Sequence, residues 1–189
     1  MILGGLSIGR GATDQYVQLM QHAAKTSGET LVKWEAHEPL SGDDRIALAK
    51  AADDFDKMVK LKPTSWTAHH GAGSVRCALE QWDEAIPHLK YAVEHPIQNP
   101  SKDDTSAMAH AHYLYSQALF FKHDYVDAEQ EATAAIEGEH DADYYYARAQ
   151  ARVQMHKIED AESDLRTAID IVPNNPRANE LLKFISNMK

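Results

Sequence analysis

Residues 158–173 read IEDAESDLRTAIDIVP. Ala161, Leu165, Ala168 and Ile169 recur at helical spacing, so the stretch predicts a helix with one apolar face. Two of these four residues are alanines, which indicates that another helix backbone comes very close to this face. Pro173 ends the helix, because proline cannot donate a backbone hydrogen bond and restricts the residue before it.

The same form occurs earlier in the chain. Residues 82–96 read WDEAIPHLKYAVEHP, and residues 125–138 read YVDAEQEATAAIEG. The first alanines of successive copies, including one further copy upstream, are Ala51, Ala85, Ala128 and Ala161. Their spacings of 34, 43 and 33 residues indicate a repeat, with nine residues inserted near 97–105.

A second helical run precedes each of the last three copies. It carries a small residue twelve positions before the anchoring alanine, and these small residues are Gly73, Ser116 and Ala149. Each unit is therefore predicted to be a helix, a tight turn and a second helix, with small residues where the two helices cross. The residues just before each second helix are bulky: Trp82, Tyr125 and Ile158.

With this period and pattern the chain resembles the tetratricopeptide repeat family. The segments Tyr145–Ala149 and Asp170–Pro176 are similar to the family's first helix and to its link between units. The resemblance implies an all-α, right-handed helical-repeat solenoid. It predicts three units over residues 64–175, at about 66–96, 109–140 and 142–175, followed by a capping helix at 176–189.

The region before the three units is expected to be less regular. Residues 1–12 are interpreted as a flexible leader, too short and too rich in glycine for a secretion signal. Residues 13–63 are interpreted as N-terminal helices with a degenerate half-repeat. In this interpretation Gly28 ends a helix over 13–26, residues 29–42 are irregular, and Asp43 caps the next helix.

Composition limits the classes of partner. The 189 residues carry a formal net charge of −10, which argues against nucleic acid or an anionic membrane as the main partner. The single cysteine excludes an intrachain disulfide and fits a reducing compartment, so we expect a cytoplasmic protein. No apolar run has the length of a membrane span.

The resemblance also predicts a concave groove lined by the first helices of the units. The groove positions expected to bind a partner are His70, Ser74, Cys77, His110, Tyr113, Gln117, Phe120, Phe121, Asp143, Tyr146 and Gln150. Such a surface suits a peptide segment or a helix of a protein partner. Tyr113, Phe120 and Tyr146 are the candidate anchors, and Gln117 and Gln150 are expected to bond the partner backbone.

Two pairs of residues have alternative interpretations, one pair inside this groove set and one outside it. Phe120 and Phe121 are adjacent and cannot both face the groove. With about equal weight, either one of them lines the groove, or one lies in the core and the other packs under the inserted loop. Arg148 and Arg152, four residues apart, either form an anion site or pair with acids such as Asp160, Glu162 or Asp164. We favour pairing, because interior guanidinium groups are normally paired.

The resemblance also allows a comparison with family members that bind the C-terminal tail of a chaperone. The positions that hold lysine, arginine and asparagine in chaperone-tail clamps of this family are here His70, Ser74, Leu114, His110 and Ala147. None of them is lysine or arginine, so we do not expect an acidic chaperone C-terminal tail as the partner.

Catalysis and metal binding receive little support. The histidine pairs His69-His70 and His110-x-His112 do not have the spacing that places two imidazoles on one helix face, so no metal and no cofactor are expected. The sequence therefore predicts a non-enzymatic adaptor or scaffold. The alternatives are a self-associating scaffold, acting through the groove or the terminal helices, and an enzyme or regulatory domain with a site near His70 and His110.

Overall fold

The computed structural model describes residues 10–187, which form nine α-helices and no strand. They divide into two compact units, one up to Glu80 and one from Gln81 onward. None of the helices in this range combines the length and the apolar character that crossing a membrane requires.

The first unit contains α1 (Arg10–Glu35), α2 (Gly42–Leu61) and α3 (Trp66–Ala78). Helix α2 packs against both α1 and α3, and α1 also contacts α3. The core is formed mainly by buried side chains of α2 and α3, namely Leu48, Ala51, Phe55, Met58, Ala72 and Val75.

Helix α1 is longer than the sequence predicts. Gly28 does not end it, and the segment 29–35, expected to be irregular, is helical. Ser27 and Thr30 are buried and Trp34 packs against the core, so packing outweighs the cost of about 1 kcal/mol for a glycine inside a helix. The helix also begins at Arg10, inside the expected leader, whose residues 1–9 lie outside the described range.

The helix caps differ in one place from the sequence-based expectation. Ser41, and not Asp43, caps α2: its hydroxyl accepts from the Asp44 amide at 3.1 Å, and the Asp44 carboxylate accepts from the Ser41 amide at 3.0 Å. These hydrogen bonds from Ser41 lower the pKa of Asp44 to about 2. The carboxylate of Asp43 makes the first turn more acidic, which suits the positive end of the helix dipole.

The second unit is a sequential stack of six helices. They are α4 (Trp82–Glu94), α5 (Lys102–Phe121), α6 (Tyr125–Gly138), α7 (Ala142–Gln154), α8 (Ile158–Ile171) and α9 (Pro176–Ser186). Each packs against the next, and α7 additionally contacts both α5 and α9. Helices α4, α6 and α8 lie within the stretches 82–96, 125–138 and 158–173 that the sequence analysis identifies.

Alanines form the crossings of the second unit. On α6 and α8 the inward positions Ala128, Ala132, Ala135, Ala161 and Ala168 are all fully buried. At the end of α6 a Cβ added to Gly138 would lie 2.9 Å from the Cβ of Ala109 on α5. The small side chains therefore set a close distance between helices, as the alanine pattern predicts.

The inserted residues are only partly a loop. Helix α5 has 20 residues and α7 has 13, so α5 gains seven residues before the position that matches Ala142. Ser101 and Asp104 form a second capping box, which starts the helix early at Lys102. Residues 95–101 therefore connect α4 and α5, and residues 102–108 form two added helical turns.

Sharp turns follow three of the first helices without the help of glycine. Glu80 in the first unit and His123 and His156 in the second have φ values of 61°, 66° and 57°. The amide of His123 donates to the carbonyl of Phe120 at 2.9 Å, which closes the end of α5. Left-handed residues at these ends satisfy carbonyls that the helix itself leaves without donors.

Candidate functional site

The surface of interest in the second unit is formed by α5, α7 and α9. Because α7 contacts both α5 and α9, corresponding positions on the three helices follow one another across one face. Adding the 34-residue period to Asp143, Tyr146 and Gln150 gives three positions on α9: Arg177, Glu180 and Phe184. The sequence analysis treated α9 only as a cap and missed these residues, although the period already indicates them.

An open depression of about 350 Å³ lies on this face, between α7 and α9. It is lined by Tyr146, Arg177, Glu180, Leu181 and Phe184. Three of these residues occupy the α9 positions that the period identifies. The depression thus combines an aromatic pair, an aliphatic side chain, a guanidinium group and a carboxylate.

Arg177 lines this depression and contacts two residues of α7. Its guanidinium carbon lies 4.2 Å from the centroid of the Tyr146 ring. The same guanidinium donates to the carboxylate of Asp143 at 3.3 Å. A cation over an aromatic face and beside a carboxylate is held in one orientation, so α9 is fixed on α7 through charged as well as apolar contacts.

Several predicted groove residues are buried. Tyr113 and Gln117 on α5 are each 9% exposed, Ser74 on α3 is 4% exposed, and Cys77 on α3 is fully buried. Burial raises the pKa of the Cys77 thiol, so this cysteine is not a reactive nucleophile. In this structure these four side chains offer a partner very little surface.

Tyr113 packs inside the α5–α7 contact. Its ring stacks on that of Tyr144, with centroids 5.0 Å apart. Burial raises the pKa of the Tyr113 hydroxyl, and the nearby Asp143 acts in the same direction. Tyr113 therefore packs beneath the surface of this face, between α5 and α7. It does not provide the exposed anchor that the sequence predicts.

Two glutamine side chains at matching positions on this face hold buried polar atoms without a partner. Within residues 10–187, neither Nε2 of Gln117 nor Oε1 of Gln150 has a hydrogen-bond partner. Gln117 occupies the same place in α5 as Gln150 does in α7. Buried polar groups are almost always hydrogen-bonded. A donor and an acceptor without partners at matching positions therefore indicate that a ligand could supply the missing hydrogen bonds.

Phe120 and Phe121 both take part in packing. Phe120 packs against the buried side chains of Leu119 and Ala128. This agrees with the interpretation that one of the two rings belongs to the core. Phe121 is 48% exposed, and its ring stacks on Trp82 of α4 with centroids 4.3 Å apart. The expectation that the second ring lies under the inserted loop is therefore corrected, because its contact is the aromatic ring at the start of α4.

A second, smaller depression of about 190 Å³ lies between α4, α5 and α6. Its lining is mostly apolar and includes Val93, Pro96, Met108 and Ala134. His112 stands at its edge, with Nδ1 2.6 Å from the Glu131 carboxylate. The added turns of α5 contribute Met108 to this lining.

Comparisons with known proteins place the fold. No protein-family model and no curated protein matches the chain. A solved structure of the MamA protein superposes with a TM-score of 0.71 and 19% identity, over 93% of this chain and 82% of that one. A tetratricopeptide repeat protein from Parabacteroides merdae superposes with a TM-score of 0.61 and 17% identity, over 95% of this chain and 65% of that one.

A third structure is the first TPR of Spaghetti (RPAP3), bound to the HSP90 peptide SRMEEVD. It superposes with a TM-score of 0.57 and 21% identity, over 65% of this chain and 91% of that one. The chain has the tetratricopeptide repeat (TPR) fold. At these identities the likeness concerns the fold, and the expected all-α helical repeat is confirmed.

In this TPR fold, Arg148 and Arg152 pair with acids. Both donate to Asp164, with contacts of 2.7 Å from Arg148 and 2.6 Å from Arg152. Arg152 also donates to Glu129 at 2.8 Å. Burial alone would lower the pKa of Arg148, but its hydrogen bonds to Asp164 raise it above the ordinary value. The favoured interpretation, pairing at the helix crossing, is therefore confirmed and replaces the anion site.

The histidines of the TPR units have separate surroundings. His69 is bonded to the Pro63 carbonyl at 3.0 Å, and His70 stacks on Trp66 with centroids 4.7 Å apart. Burial lowers the pKa of His110 to about 4, so its imidazole is neutral at pH 7. Across residues 10–187, no group of three histidine, cysteine or acidic side chains is arranged to hold a metal ion.

Proposed function

We propose that the chain is a protein–protein interaction module that binds a peptide segment of a partner along the face formed by α5, α7 and α9. The observation that carries this proposal is the pair of unpartnered amide atoms, Gln117 Nε2 and Gln150 Oε1. A peptide backbone offers both complementary groups, a carbonyl for the donor and an amide N–H for the acceptor. Both atoms are buried in the free chain, so binding requires the two side chains to turn toward the peptide, and it would then satisfy two groups that the free chain leaves unsatisfied.

The spacing of the two glutamines suits an extended peptide. Packed helices lie about 8–10 Å apart, and an extended chain rises about 3.3 Å per residue. Gln117 on α5 and Gln150 on α7 would therefore bond peptide groups about two residues apart, the shortest spacing at which an extended chain directs its backbone groups to the same side. Side chains of the peptide on the same side would then meet the exposed part of this face.

The depression between α7 and α9 supplies the apolar contact. Phe184 is 57% exposed, and with Tyr146 it flanks the opening. Aromatic side chains of this kind contribute much of the binding energy at protein interfaces. We therefore assign the anchoring role to Tyr146 and Phe184, in place of the buried Tyr113 and the packed Phe120.

The proposed partner differs from the peptide bound by the TPR of Spaghetti (RPAP3). That peptide, SRMEEVD, carries three acidic side chains. The positions considered for a clamp here include Leu114 and Ala147 and hold no lysine or arginine. The one guanidinium of the depression, that of Arg177, is already paired with Asp143. An acidic tail is therefore not the proposed ligand.

Cross-linking and affinity capture with matched variants test this function. The site variant carries Tyr146→Ala and Phe184→Ala, and the control variant carries Val126→Ala and Ile171→Ala, which remove exposed apolar surface elsewhere. Both should keep the wild-type circular dichroism spectrum. We expect the control to retain the partner and the site variant to lose it.

A partner retained equally by the folded site variant would contradict the proposal. Recovery of only the chain itself, with a mass of a dimer or larger in sedimentation, would favour a self-associating scaffold. We propose a non-enzymatic role, because Tyr146, Phe184 and the glutamines suit binding and include no nucleophile beside a base. A cytoplasmic location is part of the same proposal and rests on the cysteine content.

A further inference from the structure

The charge of the chain is concentrated in one part of the sequence. Residues 81–189 contain 19 acidic and 10 basic side chains, whereas residues 1–80 contain 10 acidic and 9 basic ones. Nearly all of the net charge of −10 therefore belongs to the part that carries the α5, α7 and α9 face. A ligand of this face approaches through a negative potential, which favours basic segments.

The charged groups at the depression also add up to a net negative charge. Its guanidinium, on Arg177, is matched by the carboxylate of Asp143 at 3.3 Å. Its carboxylate, on Glu180, is exposed and has no ion-pair partner among residues 10–187. Counting these three groups, the site holds one uncompensated negative charge.

The walls of the depression suit a long aliphatic stem. Leu181 is half-buried on one side, and the exposed ring of Phe184 lies near the charged rim. A volume of about 350 Å³ falls at the lower end of the range of about 300–1,000 Å³ for ligand pockets. Lysine and arginine combine an apolar stem with a cationic end, so they match both parts of the surface.

We propose that the depression between α7 and α9 selects a basic side chain of the bound peptide. Its stem packs on Leu181 and Phe184, and its cation pairs with Glu180. This inference rests on the proposed function and names the chemistry of the partner: a peptide with lysine or arginine close to the residues that meet Gln117 and Gln150. An acidic or uncharged peptide leaves Glu180 without a counter-ion.

Selection of random 15-residue peptides displayed on phage, using the whole chain as the target, tests the preference. We expect the selected peptides to share a lysine or arginine beside apolar residues. The strongest one is then synthesised with its basic residue kept, replaced by norleucine, or replaced by glutamate. Because an ion pair with an exposed carboxylate contributes up to about 1 kcal/mol, the norleucine peptide should bind up to roughly fivefold more weakly by calorimetry.

Reversing the charge of residue 180 tests the same preference from the side of the protein. Glu180→Lys should weaken the basic peptide roughly tenfold and improve the glutamate peptide, because attraction and repulsion exchange places. Glu137→Lys on α6 is the control: its residue is also exposed, lies outside the lining of the depression and gives the same change in net charge. The control should change the affinity less than twofold.

The outcomes separate this inference from the proposed function. Selected peptides without basic residues, whose binding Gln117→Met abolishes, would overturn the inference and leave the proposed function standing. Equal losses in Glu180→Lys and Glu137→Lys would overturn it as well, because general charge would then explain the preference. No enrichment of any peptide would count against both.

Discussion

The guanidinium of Arg177 covers one face of the Tyr146 ring, with its carbon 4.2 Å from the ring centroid. This contact joins the first turn of α9 to the middle of α7. It also blocks one side of the ring, so that a ligand can meet Tyr146 only from the depression. The same pair therefore contributes to the stability of the C-terminal helix and to the shape of the proposed site.

Arg177→Ala should loosen α9. The variant loses the contact with Tyr146 and the ion pair with Asp143, and we expect the free energy of unfolding to fall by about 1–2 kcal/mol. Urea denaturation followed by circular dichroism measures the change. The control, Lys183→Ala, removes an exposed cation from the same helix and should change stability by less than about 0.5 kcal/mol. Equal effects would show that the Tyr146 contact contributes nothing.

Replacing the unpartnered glutamines should separate stability from binding. Gln117→Met and Gln150→Met keep the volume and remove the unsatisfied polar atoms, so each should raise the free energy of unfolding by about 1 kcal/mol. Each should also weaken peptide binding. Gln130→Met, at an exposed position on α6, is the control and should alter neither quantity. Loss of stability in both site variants would indicate that the amides are bonded in the free chain.

Asp164 should be among the most sensitive polar residues. It is 3% exposed and accepts hydrogen bonds from Arg148 and Arg152. Asp164→Ala leaves these guanidinium groups without their shared partner, and breaking a buried pair costs about 3–5 kcal/mol. Thermal unfolding should show the loss, and Asp164→Asn should show a smaller one. Glu159→Gln, at an exposed position on the same helix, should melt like the wild type.

Two helical glycines should respond in opposite directions to alanine. At Gly71 an added Cβ would lie 2.3 Å from the Phe55 ring, and the buried ring would have to move, so Gly71→Ala should destabilise by about 1–3 kcal/mol. At Gly28 an added Cβ meets nothing within 4 Å, so Gly28→Ala should stabilise by about 1 kcal/mol. Chemical denaturation of both variants checks the pair. Stabilisation by Gly71→Ala would mean that Phe55 yields without cost.

His110 should make stability depend on pH in a defined window. Desolvation lowers its pKa to about 4 from an ordinary value of 6.5, against the opposing effect of Glu139. Between these values the unfolded chain binds a proton that the folded chain does not, so stability falls as the pH decreases from 6.5 to 4. The contribution reaches ~3 kcal/mol at the lower end.

His110→Gln removes this titrating group. The difference in unfolding free energy between the wild type and this variant should therefore change by that amount between pH 7 and pH 4. His95→Gln, at an exposed histidine, should leave the pH dependence of the wild type in place. A constant difference for His110→Gln would show that the imidazole is well solvated.

The helices of the second unit could be predicted from the sequence because their signals are local. Alanines at helical spacing, such as Ala161 and Ala168, fix the packed face, and Pro173 fixes an end. A helix over 13–26 was predicted, but the full length of α1 was not, because its continuation past Gly28 depends on packing along α2, which no local signal reports. At such positions tertiary contacts outweigh the low helix propensity of glycine.

The repeat period predicts which positions of α5 and α7 correspond to each other, but it does not predict which side chains are exposed. The period places Gln117 and Gln150 at equivalent positions, and the structure agrees. It does not reveal that Tyr113 is covered, because the stacking ring of Tyr144 comes from another helix. Arg177 was within reach of the sequence: it lies 34 residues after Asp143, but the interpretation of α9 as a cap ended the repeat one helix too early.

The added turns of α5 have a consequence for how the array tolerates changes in length. Seven residues turn an α-helix by about 700°, only 20° short of two full revolutions. Residues 102–108 therefore lengthen the helix by almost two whole turns, so its new start faces nearly the same direction as the start of a helix without them. An addition of five residues would rotate the start of the helix by about 140° away from its neighbours. The connection over residues 95–101 therefore meets the lengthened helix from nearly the same side as it would meet the shorter one.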